Sequence, residues 1–166
     1  MAGMDTVTKE KRSEIMSRIR SRDTQPELIV RKRIFAAGWR FRLCDKRFPG
    51  RPDVVVPRAH ALIEIRGCFW HQHGCAKCST PKSNSAFWTA KWEKNISRDK
   101  RHEAEWEALG WNVLIVWECA LEPVRREETL QSVCLALDFW AAEQAEAKNS
   151  KGPLPEKRPH RLILPR

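Results

Sequence analysis

Pro52-Asp53-Val54-Val55-Val56-Pro57, followed by Ala61-Leu62-Ile63-Glu64-Ile65-Arg66-Gly67, is the stretch on which the architecture turns. Each run is short, rich in β-branched residues and bounded by proline or glycine, which predicts two buried strands joined by a tight connection over Pro57 to His60. Downstream, residues 85–109 read as a long amphipathic helix ended by Gly110, WNVLIVWE as an apolar strand, and residues 124–147 as a final helix. Upstream, PELIVRKRIFAAG reads as a helix with Asp23 or Thr24 as its N-cap, Pro26 in its first turn and a capping-box pattern from Thr24 to Glu27, and Gly38 ends it. WRFRL then reads as a strand, and residues 7–22 as a basic helix with Ile15, Met16 and Ile19 on one face. This order predicts an α/β fold, a mixed central sheet flanked by helices on both faces. A single domain is expected over residues 1–147, with 1–24 as a basic helical segment. Residues 148–166 are expected to form a flexible basic tail in which only Leu162, Ile163 and Leu164 invite docking.

The chain has 166 residues and a formal net charge of +10, from 31 Lys and Arg against 21 Asp and Glu. That excess points to a polyanionic partner, nucleic acid above all. The N-terminus lacks the apolar stretch of a secretory signal and no run is long enough to span a membrane, so a cytoplasmic protein is expected. In a reducing compartment the six cysteines suit metal binding better than disulfides. Eight Trp and no Tyr offer flat aromatic faces for stacking on bases or packing against helices.

Two constellations carry chemistry. Asp53 opens one strand and Glu64 lies on the next, so two carboxylates could bind a hard cation such as magnesium, with the cation of Arg66 offsetting charge on a phosphate. Directly after that strand, Gly67-Cys68-Phe69-Trp70-His71-Gln72-His73-Gly74-Cys75-Ala76-Lys77-Cys78 crowds thiols and imidazoles at a density that suits tetrahedral zinc. Cys75 and Cys78 form the simplest ligand pair, and Cys68, His73 and Cys119 compete for the remaining places. Spacing leaves the choice among the five open.

The runs PGRPDVVV, GCFWH, SAFWTAK, KNISRDKR and LGWNVLIVWECAL, in that order, closely resemble the very short patch repair endonucleases over residues from about 12 to 122. The resemblance implies a fold similar to type II restriction endonucleases. It also implies an enzyme that nicks duplex DNA 5′ to the thymine of a T·G mismatch left by deamination of 5-methylcytosine. It makes Asp53 the magnesium-binding aspartate, with a further ligand from the main-chain carbonyl of Ile65, His71 the catalytic histidine that activates water, and Asp99 the carboxylate that orients it. Glu27 matches an acidic residue on an N-terminal helix that approaches the site, and Asn95, one turn before Asp99, joins them. The resemblance gives a structural zinc to Cys68, His73, Cys75 and Cys119, leaving Cys78 out. Phe69, Trp70 and Trp88 match an aromatic wedge that enters the base stack beside the mismatch, where unstacking is cheaper than at a paired step.

This chain departs from the family before the glycine of GCFWH, with Ile65 and Arg66 where relatives carry threonine and histidine. A guanidinium cannot act as a base, so Arg66 is expected to stabilise phosphate charge. Glu64 with Arg66 looks more like the general restriction-endonuclease site. The resemblance implies a monomer acting on mismatched double-stranded DNA with a link to mismatch-repair factors. The alternatives are a restriction-like nuclease of another specificity and a zinc-stabilised DNA-binding module without catalysis.

Overall fold

Alternation within the valine- and isoleucine-rich runs sends neighbouring side chains to opposite faces of one sheet, and both faces are covered. The computed structural model describes residues 11, 14, 22–81, 84–149 and 159–164. In chain order it places helix α1 at Gln25–Ala36, strands β1 at Arg42–Leu43, β2 at Val54–Val56 and β3 at Ala61–Arg66, and short helix α2 at Cys68–His71. Helix α3 at Ser85–Ala108, strand β4 at Asn112–Trp117, helix α4 at Arg126–Asn149 and strand β5 at Arg161–Leu164 follow. The five strands lie in sequence order, antiparallel from β1 to β3 and parallel from β3 to β5. The mixed sheet read from the sequence is therefore present.

On one face, Val54, Val56, Ile63, Leu114 and Val116 pack against Val30 and Ile34 of α1 and Val133, Leu137 and Trp140 of α4. On the other, Val55, Leu62, Val113, Ile115 and Trp117 pack against Trp106 of α3, beside Cys68 and Cys119. These side chains are almost wholly withdrawn from water, which is the main favourable term holding the layers together.

Three expectations are corrected in detail. WRFRL pairs only over Arg42–Leu43, because Trp39 donates its amide to Ile34 at the end of α1 and Cys44 turns the chain at a φ of 47°. The segment after Gly67 is not all loop, since α2 forms from Cys68 to His71. Residues 148–166 are not a uniform tail. Residues 148 and 149 end α4, and Leu162 to Leu164 dock as expected, as part of β5 alongside Leu114 to Val116. The basic helix over 7–22 lies outside the described residues apart from Lys11 and Glu14.

The PGRPD turn is fixed against α3 by close packing. Gly50 has a φ of +68°, and a Cβ there would sit 2.2 Å from Nδ1 of His102. Trp106 donates its indole N–H to the carbonyl of Pro49 at 2.8 Å. Only glycine fits that approach, and the contact fixes where Asp53 starts its strand relative to the helix that carries Asp99. Among the described residues, no helix is long and apolar enough to cross a membrane.

Candidate active site and metal centre

Register brings the first acids together. Val54 pairs with Ile63, which carries Asp53 opposite Glu64 one step further on. Asp53 Oδ2 accepts the amide N–H of Ile65 at 2.8 Å. Asp53, Glu64, Ile65 and Glu27 line one cleft of about 890 Å³ with His71 and Asn95. Burial pushes the Asp53 carboxyl up to about 7, against the Ile65 hydrogen bond, and the neighbouring charges of Glu27 and Glu64 push the same way. Crowded, part-buried carboxylates are what a divalent cation would neutralise. Two carboxylates and a main-chain carbonyl are all hard oxygen donors, a set that fits a divalent cation.

Glu27 does not form the capping box read from sequence. Thr24 donates its hydroxyl to Glu27 Oε1 at 2.8 Å, and Glu27 Oε2 accepts the Asp23 amide at 3.1 Å, one residue ahead of the cap. Arg31, one turn on, pairs with Glu27 at 2.5 Å. The acid is thus fixed at the cleft edge by its own helix.

His71 reaches the cleft from the end of α2. Its Nδ1 is hydrogen-bonded to Asp99 Oδ2, which leaves Nε2 for the cleft. Burial would raise the Asp99 carboxyl, but the hydrogen bond from His71 and the charges of His71, Arg66 and Arg98 outweigh it and hold it below its usual range. Asn95 donates to the carbonyl of Trp70 at 2.9 Å and so fixes α2 against α3. Asn95, Asp99 and Glu103 follow one another at helical spacing along one side of α3.

Arg66 does not stand in the cleft, contrary to the expectation of a phosphate contact. Its guanidinium is buried, with Nη1 on Glu103 Oε1 at 2.6 Å and Nη2 on Glu64 Oε2 at 3.3 Å. The cations that do line the cleft are Lys91 and Arg98, and Glu118 joins the acids there. Sequence reasoning singled out none of these three, although Lys91 and Arg98 share the helix of Asn95 and Asp99.

Beside the cleft, Cys68, His73, Cys75 and Cys119 bring one ligand atom each to within 4.8 Å of one another. His73 Nε2 lies 3.2 Å from Cys68 Sγ and 3.5 Å from Cys119 Sγ. Zinc bonds of about 2.0–2.3 Å imply tetrahedral edges close to these, so the cluster suits a soft, tetrahedrally bound metal. Cys78 stands outside, its Sγ on the carbonyl of Cys68 at 3.3 Å. The parallel register explains the distant fourth ligand. Arg66 pairs with Trp117, and two residues beyond each strand come Cys68 and Cys119. His73 lies flat on the Trp117 ring, with centroids 3.9 Å apart.

Phe69, Trp70 and Trp88 meet as a half-buried group, with Phe69 5.1 Å from each of the other two rings. Phe87 and Trp92 extend it, and Lys91 lies 5.6 Å above Trp70. The cluster adjoins the cleft through Trp70.

A carboxylate cleft with an aspartate-oriented histidine and flanking cations is the equipment of a phosphodiester hydrolase. Residues 4–77 match the family model described as DNA mismatch endonuclease Vsr. The chain is 46% identical over 118 residues to the type II nicking enzyme V.NmeAIP of Neisseria meningitidis serogroup A, covering 71% of this chain and 84% of that protein. It is 40% identical over 136 residues to the DNA mismatch endonuclease Vsr of Escherichia coli, covering 82% and 86% respectively. With the type II nicking enzyme V.XorIIP of Xanthomonas oryzae the identity is 44% over 117 residues, or 70% and 86%. The chain belongs to the Vsr family of DNA mismatch endonucleases, the very short patch repair enzymes.

Proposed function

We propose that this endonuclease is a magnesium-dependent enzyme with a restriction-endonuclease-like fold that nicks one strand 5′ to the thymine of a T·G mismatch. The observation that carries the reading is the convergence on one cleft of Asp53, Glu64 and Glu27 with a His71 whose Nδ1 is engaged by Asp99. A non-catalytic DNA-binding module has no use for that arrangement.

Asp53, Glu64 and the Ile65 carbonyl would hold the magnesium, which when bound polarises the scissile phosphate and makes water a better nucleophile. His71 takes the proton from the attacking water at Nε2, while Asp99 fixes the tautomer and supports the imidazolium that forms. Lys91 and Arg98 meet phosphate charge, the role expected of Arg66 from the sequence. Phe69, Trp70 and Trp88 enter the stack beside the mispair, where less stacking is lost, and so favour damaged over paired DNA. Cys68, His73, Cys75 and Cys119 would hold a zinc ion, which when bound would tie that aromatic element to the sheet.

Nicking assays on T·G, fully paired and otherwise mismatched duplexes, with and without magnesium, test this. A single cut 5′ to the thymine, confined to T·G and dependent on magnesium, is expected. Equal cutting of paired DNA would point to a restriction-like specificity. Binding without cutting, whatever the divalent cation, would overturn the enzymatic reading.

A further inference from the structure

Beneath the cleft lies a row of alternating charges of which the reaction as described uses only the first, Glu64. Glu64 Oε2 faces Arg66 Nη2 at 3.3 Å, Arg66 Nη1 faces Glu103 Oε1 at 2.6 Å, and Glu103 Oε2 faces Arg161 Nη1 at 3.0 Å. Arg66 and Glu103 are each only 5% exposed. The row joins β3, α3 and β5, so it runs from the cleft to the far edge of the sheet.

A guanidinium stays charged at any pH the protein meets. Buried next to a site for a divalent cation, it opposes that cation twice, by repulsion and by competing for a carboxylate the cation needs. The two distances show how this is resolved. Arg66 is held closely by Glu103 and loosely by Glu64, and Glu64 still lines the cleft. Arg161 engages the second oxygen of Glu103, so the carboxylate keeps its orientation toward Arg66.

We propose that Glu103, anchored by Arg161 of the last strand, is a positioning residue that neutralises Arg66 and thereby leaves Glu64 available to the divalent cation. The inference rests on the reading of Asp53 and Glu64 as ligands of that cation.

The test is titration of the zinc-loaded full chain with magnesium chloride, followed by calorimetry in the absence of DNA. Glu103→Gln should weaken magnesium binding about tenfold, because among the described residues Glu64 is then the one ion-paired carboxylate left to Arg66, with Asp99 acting on it only through space. Adding Arg66→Met to Glu103→Gln should restore affinity to within about threefold of wild type, since the freed cation is gone. A purely structural role for Glu103 would not give that recovery. Arg66→Met alone keeps the Glu103–Arg161 pair, and should bind magnesium at least as tightly as wild type, so the idea remains testable if Glu103→Gln does not fold. Unchanged affinity in Glu103→Gln, no recovery in the double variant, or weaker binding in Arg66→Met would each overturn the proposal. Asp53→Asn separates this from failure of the underlying reading: magnesium binding that survives it would mean that the cation sits elsewhere.

Discussion

Asp53, just ahead of β2, and Ile65 of β3 are joined across the gap between those two strands, the carboxylate of one accepting the amide hydrogen of the other at 2.8 Å. The bond engages Oδ2 and ties the carboxylate to the backbone at Ile65, whose carbonyl is the proposed third ligand. Asp53→Asn keeps the shape of the side chain and removes its charge. Nicking should fall about 10³-fold or more, with mismatch binding nearly intact, as measured by single-turnover cleavage and gel shift. Cutting at the wild-type rate would remove Asp53 from the chemistry.

Without metal, folding stability should depend on pH through the same carboxyl. Its value rises from 3.8 to about 7 on folding, so the folded chain holds a proton over that range which the unfolded chain has released. This contribution is fully present below 3.8 and is lost as pH climbs to about 7. Urea midpoints of the magnesium-free protein should therefore fall across that interval. Asp53→Asn should flatten the fall, and saturating magnesium should do the same by favouring the ionised form. A slope that survives the substitution would have another source.

Asp99→Asn leaves His71 with a neutral partner that can bind either tautomer. A loss of about 10²–10⁴-fold in kcat is expected, with little change in KM for DNA or in magnesium affinity. Equal losses in binding would instead mean that the pair serves only to hold α2 in place.

Stripping zinc with a strong chelator should loosen residues 67–81 before the sheet, read as faster amide exchange in that segment. Cys119→Ser should do the same and cost several kcal/mol, roughly 10 °C in Tm. Cys78→Ser should leave zinc content unchanged, because its thiol stands outside the cluster.

Gly50→Ala should destabilise the fold by about 1–3 kcal/mol through its left-handed φ and its clash with His102. His102→Ala in the same chain relieves the clash and leaves only the backbone strain. Partial recovery in a thermal melt is the expected signature.

The central strands were legible because Val54 to Val56 and Ala61 to Ile63 are apolar on both faces, and few other structures bury such runs. Asp53, His71 and Asp99 were legible through motif order, and the cleft brings the first two together over the third. Cys119 was one of five candidate ligands and was chosen over Cys78 only through the resemblance, since its closeness to Cys68 depends on a strand register that spacing does not reveal. Arg66 was misplaced for a related reason. Its partner Glu103 lies 37 positions away, and nothing local shows that α3 buries an acid there. The signal that could have found Glu103 is its helical phase, shared with Asp99 and Trp106. Arg161 was passed over as part of a basic tail, yet the docking of Leu162 and its neighbours carries it onto α3.

Cys68 and Cys119 sit two residues beyond Arg66 and Trp117, partners in one parallel ladder. A slip of β3 along β4 by a single position would part the thiols and, in the same movement, shift Glu64 and Ile65 relative to everything behind them. Loading of a soft metal would therefore act as an inspection of strand alignment: a misregistered chain has no complete cage, and a chain that held its ion would have its proposed cutting residues in line.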